Sequence, residues 1–365
     1  MARTRPKAGR THLVFVINPG STSTRLALCR GRRCVAQETI LHSAKSLAKF
    51  KSIMGQAPMR EAAALKMLER CGVRPEMLDA VAARGGLLEP CPAGTYLVGP
   101  EMLGDLERAR CGAHASNLGA VIGARIAQKA NAPCFVVDPV VVDQLCDEAR
   151  ASGIPEIERR SIWHALNQRA AARLAAKELG RTYETSNLVV AHLGGGISVA
   201  AHRRGRAIDV NNALDGDGPF APERSGGLPA GDLVRLAYET PRAEMLRKIT
   251  GAGGAAAYLG TNDMREVERR ARAGDGAARG LIGAMAYQVA KEIGACAAVL
   301  AGEVDSVVLT GALARCRALV GRIRRRVKFI APVRVIPGEM EMPALARGAF
   351  RVLDGEERPR RYRPP

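Results

Sequence analysis

The sequence predicts a two-domain α/β protein. Three observations lead there: a chain of 365 residues at roughly 100 to 200 residues per domain, strand-like and helix-like segments alternating along its length, and a strand, a glycine-containing turn and a hairpin opening each half. The echo between the halves is structural, because no repeat of short period is present. With 47% hydrophobic and 25% charged residues, wholesale disorder and collagen-like structure are excluded. No apolar run reaches the roughly 18 residues that a bilayer span needs. Candidates such as Leu13 to Ile17 and Val136 to Val142 are strand-sized, and Asp138 interrupts the second. Met1 to Arg10 carries Arg3, Arg5, Lys7 and Arg10 with no apolar secretory region behind it, and reads as a short basic tail.

The first strand runs from His12 to Asn18, rich in β-branched residues, and stops at Pro19-Gly20. Thr24 to Cys29 alternates with Leu26 and Leu28 on one face, Gly31 marks a turn, and Cys34 to Ile40 continues the hairpin. Pro58 to Arg70 is a helix with Ala62, Leu65 and Leu68 on its inward side and Pro in its first turn. The strand Ala80 to Ala83 runs into Arg84-Gly85-Gly86. A helix over Asn117 to Ala130 follows, and Cys134 to Val137 is a buried strand ending at Asp138-Pro139. In the second half a helix from Ile162 to Leu179 precedes the strand Asn187 to Leu193, which meets Gly194-Gly195-Gly196. Ile197 to His202 and Ala207 to Val210 form a hairpin about Arg204-Gly205. Helices fill most of Gly231 to Gly302, the last starting near Ala277. Asp305 to Thr310 is a strand meeting Gly311, Val333 to Ile336 another stopping at Pro337-Gly338, and Glu341 to Leu353 the closing helix.

Fifty-five basic against 36 acidic side chains leave a formal charge of +19, so anionic partners and salt-dependent association are expected. The densest run, Arg315 to Lys328, has no interleaved aromatic residues on which bases stack, and reads as a solvated helix face rather than a nucleic-acid site. Nine cysteines, at 29, 34, 71, 91, 111, 134, 146, 296 and 316, contain no C-x-x-C. That is neither a disulfide framework nor a zinc pattern, and it implies free thiols in a reducing cytoplasm.

Chemistry concentrates in the glycine turns. Asn18-Pro19-Gly20-Ser21-Thr22-Ser23-Thr24, between two strands, gathers backbone amides and hydroxyls, which suits a phosphate, with Arg25 behind it as a fixed charge. An ordinary Ser/Thr-rich hairpin turn is the alternative. His192-Leu193-Gly194-Gly195-Gly196 repeats the logic, and Thr310-Gly311 closes a third strand with small residues. No G-x-x-x-x-G-K-[ST] exists, and Gly251 to Ala256, nominally G-x-G-x-x-A, follows no strand.

These residues carry a resemblance. The chain resembles the butyrate kinases, in the acetate kinase group of the superfamily that includes sugar kinases, heat-shock chaperones and actin. Matching segments include Ile17 to Thr24, Ala83 to Tyr96, His114 to Gly119, Val136 to Asp143, Pro155 to Ala170, Ala191 to Ser198, Phe220 to Asp232, Leu259 to Val267, Ala284 to Ala295, Val308 to Ala314 and Pro337 to Val352. The resemblance implies two ribonuclease-H-like domains with an active-site cleft between them. Domain I, 11–150 plus 341–355, would take the acid and phosphate side; domain II, 151–340, would bind the nucleotide and build a homo-oligomer. It implies reversible phosphorylation of a short-chain fatty acid, butyrate first, by ATP with Mg2+, giving butyryl phosphate and ADP. No specific nucleic-acid or membrane partner is implied.

The phosphate turn of the family falls on Asn18, Ser21, Ser23 and Arg25, the last usually a lysine; Arg keeps the charge as a broader planar fork. The catalytic arginines match Arg84 and Arg224, and paired guanidinium groups suit charge spread over phosphoryl oxygens. Asp138 matches a catalytic carboxylate and, with Glu341, would hold Mg2+ largely through waters. Glu341 is alternatively a helix-start residue favoured by the helix dipole. Gly194, Gly195, Gly196, Thr310 and Gly311 would line the nucleotide, with His192 and His164 near its phosphates. Gln168 stands where acetate kinases have a second histidine, and His12, His42 and His202 lie outside the matched segments. Direct in-line transfer needs fewer assumptions than a phosphohistidine. The competing readings are an acetate, propionate or isobutyrate kinase and a non-catalytic ATP-binding switch.

Overall fold

The computed structural model describes residues 11–31 and 33–364. Two compact units divide the chain, one of residues up to Val142 plus those from Glu341 onward, the other Asp143–Met340. No helix among the described residues is long and apolar enough to cross a membrane.

The first unit opens with β1 (Leu13–Pro19), β2 (Ser23–Arg30) and β3 (Arg33–Leu41), an antiparallel meander. Then come α1 (Ala57–Arg70), β4 (Ala80–Ala83), β5 (Thr95–Leu97), α2 (Pro100–Glu107), α3 (Asn117–Ala130) and β6 (Cys134–Val137). β1, β4 and β6 are parallel neighbours, and all of their residues are buried, as expected for strands covered on both faces. Phe15, Ile17, Leu26, Leu28, Val81 and Ala83 pack with Leu68 of α1 and Leu118, Ile122 and Ile126 of α3 in one apolar layer.

In the second unit α4 (Ala165–Glu178) precedes β7 (Asn187–Leu193), β8 (Ile197–Arg203) and β9 (Arg206–Val210), again an antiparallel meander. Arg204 and Gly205 both have positive φ, +46° and +86°, the requirement of the two-residue turn that follows the strand twist. Helix α5 (Ala230–Glu239), three shorter helices between Arg242 and Arg272, α6 (Gly276–Val299), β10 (Ser306–Gly311), α7 (Arg317–Val327) and β11 (Val333–Pro337) follow. The strand order β11-β10-β7-β8-β9 is the ribonuclease-H-like arrangement. Period-two alternation sorts the faces: Val189, Ala191, Leu193, Val307 and Leu309 pack toward α6 and α7, Leu188, Val190 and Val308 toward α4. On α7, Leu319, Ile323 and Val327 point inward while Arg324, Arg325 and Arg326 are exposed, the solvated basic face expected.

The chain then returns to the first unit as α8 (Glu341–Leu353) and β12 (Arg360–Arg361). Its sheet runs β12-β5-β6-β4-β1-β2-β3, the same core order extended at one edge. Helix α8 lies against β1, β4 and β6. Tyr362 anchors the last strand, its buried hydroxyl donating to Asp105 Oδ2 at 2.9 Å.

Three expectations change. Helix α4 begins at Ala165, not Ile162, because His164 is the half-in flanking residue with ψ +54°, its N–H turned toward the Ser198 hydroxyl. The inward stripe of α1 is Ala57, Arg60, Ala64, Met67 and Leu68, and Ala62 is exposed. Finally, the cysteines are not all free: Cys29 and Cys34 form a disulfide, because the hairpin register sets them directly opposite each other. The other seven are free thiols.

Glu292, on α6, gives a pH-dependent test of the second core. Burial, with the carboxylates of Asp217 and Asp209 nearby, pushes it up to about 7 against the opposing charges of Arg159 and Lys291. Its ordinary value is 4.5, so the folded state holds a proton that the unfolded chain releases earlier. The associated stability is full below about 4.5 and is lost as pH rises through 7. A Glu292→Gln variant should therefore melt higher than the parent at pH 8, with the gap closing by pH 5. Melting curves at the two pH values check this, and an equal gap at both would reject it.

Candidate active site

In the first unit the candidate residues follow the C-terminal ends of β1, β4 and β6, the place where open α/β sheets bind ligands. Asn18 on β1 and Arg25 on β2 are cross-strand partners and so share a face. Arg84 continues β4, its N–H donating to Ile17 O at 2.9 Å, which sets it beside Asn18. Glu341, the first residue of α8, meets all three. Asn18 Nδ2 donates to its Oε2 at 2.7 Å, Arg84 Nη1 donates to its Oε1, and Arg25 Nη1 lies 3.9 Å from Oε2. Glu341 thus makes tertiary contacts through both oxygens, besides standing at a helix start.

The Ser/Thr turn is organised from beneath by a residue that the sequence reading passed over. Arg60 is fully buried on the inward stripe of α1. Its Nη1 donates to Gly20 O, Ser23 O and Thr24 Oγ1 at 2.9, 2.8 and 3.0 Å, and its Nη2 to Ser21 O at 3.2 Å. The turn's carbonyls are therefore drawn down onto a guanidinium, and Ser21 remains exposed and Ser23 half-buried. A cation under a turn whose carbonyls face away favours an anion above it. Thr24 Oγ1, which accepts from Arg60, also lies 2.8 Å from His42 Nε2, and burial together with Arg60 keeps His42 below the usual histidine range. Replacing Arg60 with alanine removes the partner of three part-buried carbonyls and of the buried Thr24 hydroxyl and should destabilise the chain by about 3 kcal/mol, since a lost buried partner costs roughly 1 to 3 kcal/mol. Urea titration measures it, and a loss below about 1 kcal/mol would contradict this role.

Asp138 is buried with φ +39°, a left-handed conformation uncommon for a side-chain-bearing residue. Gly94 N–H donates to its Oδ1 at 2.8 Å, and its own N–H donates to Gly94 O at 3.0 Å. Among the described residues no group of three or more His, Cys, Asp or Glu could hold a metal ion. Leu88, after Arg84-Gly85-Gly86, is core, packed with Met102, Leu106 and Val136.

In the second unit His192 and Thr310 are partners on the parallel strands β7 and β10. Asn167 of α4 joins them, with Nδ2 2.8 Å from His192 Nδ1 and 3.3 Å from Thr310 Oγ1. His164 stacks on His192, ring centroids 3.9 Å apart and planes 12° from parallel. Gly311 has φ +91°, and a Cβ there would stand 2.3 Å from Leu193 O, so only glycine lets the two strand ends close. Arg224 lies against the Gly194-Gly195-Gly196 turn: a Cβ on Gly196 would come within 1.9 Å of its Nη1. Arg224 Nη1 donates to Ala213 O, whereas its Nε is buried with no hydrogen-bond partner. Burial holds its pKa below the usual arginine range, with Glu223 opposing. A partly buried guanidinium with an idle donor beside a glycine turn is suited to an anionic ligand. The glycine-rich segment after Thr250 follows a helix and buttresses this loop, Gly253 N–H donating to Glu223 O at 3.1 Å.

Residues 156–329 match the acetokinase family. Butyrate kinase 2 of Clostridium acetobutylicum is 50% identical over 352 residues, 96% of this chain and 99% of that protein. Among solved structures, Porphyromonas gingivalis acetate kinase superposes with a TM-score of 0.75 at 19% identity, covering 94% of this chain and all of that one. A propionate kinase from Francisella tularensis gives 0.71 at 19% identity, covering 92% and 98%. The acetate-kinase-like fold is thus shared at low identity, and at 50% identity over nearly the full length of a relative the chain belongs to the acetokinase family.

Proposed function

We propose that the chain transfers the γ-phosphoryl group of ATP to the carboxylate of a short-chain fatty acid, reversibly, with butyrate as the preferred acid. The observation that carries this reading is an arginine beside an anion-suited turn in each unit: Arg84 with Asn18, Arg25 and Glu341, and Arg224 against Gly194 to Gly196. The name of the half-identical relative, a butyrate kinase, supports the choice of acid.

In this reading one carboxylate oxygen attacks the γ-phosphorus. The new O–P bond forms as the bond from phosphorus to the β,γ-bridging oxygen breaks, and ADP leaves with that electron pair. Butyrate is ionised at neutral pH, so no proton moves and no base is required. Arg84 and Arg224 neutralise charge on the phosphoryl oxygens as it redistributes. The glycine turn and Thr310-Gly311 cradle the nucleotide, and His192 and His164 donate to its phosphate oxygens. Asp138 and Glu341 would hold Mg2+, which supplies charge neutralisation to the phosphates when bound. Their joint presence with both arginines favours a working enzyme over a non-catalytic switch.

One methylene is worth only about 1 to 3 kcal/mol in an apolar pocket, so propionate, acetate and isobutyrate are expected as slower substrates. Trapping acyl phosphate as hydroxamate across C2 to C5 acids tests the reading. Butyrate should give the highest kcat/KM, and no acyl phosphate from any acid would overturn it. We place the enzyme in the cytoplasm, where ATP is held, and assign it a homo-oligomer built through the second unit. Supporting the latter, α5 buries none of its residues, and Leu228, Leu236 and Tyr258 are exposed around an apolar cavity of about 700 Å3.

A further inference from the structure

A buried hydrogen-bond chain runs behind His164, through residues that the reaction itself does not use. Gln168, Ser198 and His202 are fully buried and Tyr183 almost so. Tyr183 Oη lies 2.7 Å from His202 Nδ1, His202 Nε2 3.0 Å from Gln168 Oε1, Gln168 Nε2 2.7 Å from Ser198 Oγ, and Ser198 Oγ 2.9 Å from His164 Nδ1.

The direction of every proton follows from one fixed point. Gln168 Nε2 also sits 3.0 Å from Ser198 O, a carbonyl that can only accept. The amide nitrogen must therefore face Ser198, which leaves Oε1 to accept from His202. His202 donates through Nε2 and, as a neutral imidazole, accepts at Nδ1 from the tyrosine hydroxyl. Burial and the charges of Arg169 and Arg173 hold its pKa down at about 3, in agreement with a neutral ring. At the other end Ser198 Oγ accepts from the Gln168 amide, so its single proton goes to His164 Nδ1.

His164 is thereby left with its proton on Nε2. The same logic applies to its stacked neighbour: Asn167 Oδ1 accepts from Met340 N–H at 2.7 Å, so Asn167 Nδ2 donates to His192 Nδ1, and His192 also carries its proton on Nε2. We propose that Tyr183, His202, Gln168 and Ser198 form a positioning relay that fixes His164 as an Nε2–H donor, matched to His192, for the oxygens of the transferring phosphoryl group. The role toward phosphate rests on the functional reading above; the tautomer does not. A histidine ligand is commonly oriented in this way by what its other ring nitrogen bonds. Here a glutamine and a core histidine supply that orientation from strand β8 and helix α4.

The test uses the full-length protein labelled with 15N on its histidines. Long-range 1H–15N spectra, with His164 assigned by loss of its signals in His164→Gln, should show its proton on Nε2 and an unprotonated Nδ1. In Ser198→Ala the His164 signals should move toward a tautomer mixture. Turnover should then fall about 10-fold, the lower range for loss of an orienting partner, with KM for ATP and acid little changed. Ser198→Thr, which keeps the hydroxyl, should restore both. A His164 protonated on Nδ1 in the parent overturns the relay, and so does Ser198→Ala with parental tautomer and turnover. If Ser198→Ala does not fold, the parent spectrum alone decides. Parental turnover in His164→Gln alongside an Nε2–H parent would overturn the phosphoryl role while leaving the relay assigned.

Discussion

Arg84→Ala is expected to lower turnover about 1000-fold or more, on the scale of arginines that stabilise phosphoryl transfer. The side chain is held in place rather than free to wander. Its backbone is fixed to β1 through Ile17 O, and its guanidinium donates to Glu341, which Asn18 holds from the other oxygen. Because Asn18 and Arg25 still engage Glu341 in the variant, the fold should survive and the loss should appear in kcat. Arg84→Lys keeps the charge but loses the planar fork, so it should recover only part of the activity. Hydroxamate trapping measures both variants; turnover near the parental value in Arg84→Ala would remove Arg84 from the reaction.

Gly196→Ala should cost about 100-fold or more in turnover, as misplacement by roughly 1 Å does in catalytic sites. The backbone at this position does not need glycine for its φ, so the added methyl acts only through space. It would stand 1.9 Å from Arg224 Nη1 and 3.0 Å from Ala213 O, the carbonyl on which that guanidinium rests. Arg224 has to leave its place. If this is the cause, adding Gly196→Ala to Arg224→Ala should cost little more than Arg224→Ala alone, since the two changes remove one interaction. A fully multiplicative double variant, or a single variant with unchanged turnover, would reject the link.

The sequence made the strands legible because burial on both faces leaves nearly continuous apolar runs. Cys134 to Val137 and Asn187 to Leu193 are strands with those same bounds. β5 and β12 escaped notice since they are three and two residues long, too short to show a period-two alternation. Among the candidate residues, those on glycine turns were visible through turn chemistry. Arg60 was not, because its helix was read with Ala62 inward, and a charged residue interrupts the true apolar stripe. The signal was the stripe itself: Ala57, Arg60, Ala64 and Met67 keep helical spacing, so an arginine inside it had to be satisfied by buried acceptors. His202, which lies outside the matched segments, belongs to a chain whose logic depends on pairings between α4, β8 and the Tyr183 turn. One-dimensional spacing does not carry them. The Cys29–Cys34 pair was hidden in the same way, since only the hairpin register makes the two residues neighbours.

The cluster around Glu341 joins residues made at opposite ends of synthesis. Arg84 and Glu341 are 257 positions apart, which at roughly 5 to 20 residues per second is a delay of tens of seconds on the ribosome. During that interval the nascent first unit lacks both α8 and its last edge strand, and the whole of the second unit, which ends at Met340, is made in between. The arginine proposed for catalysis therefore acquires its carboxylate partner only near the end of translation, and a chain interrupted before residue 341 is born without the carboxylate that ties Asn18, Arg25 and Arg84 together.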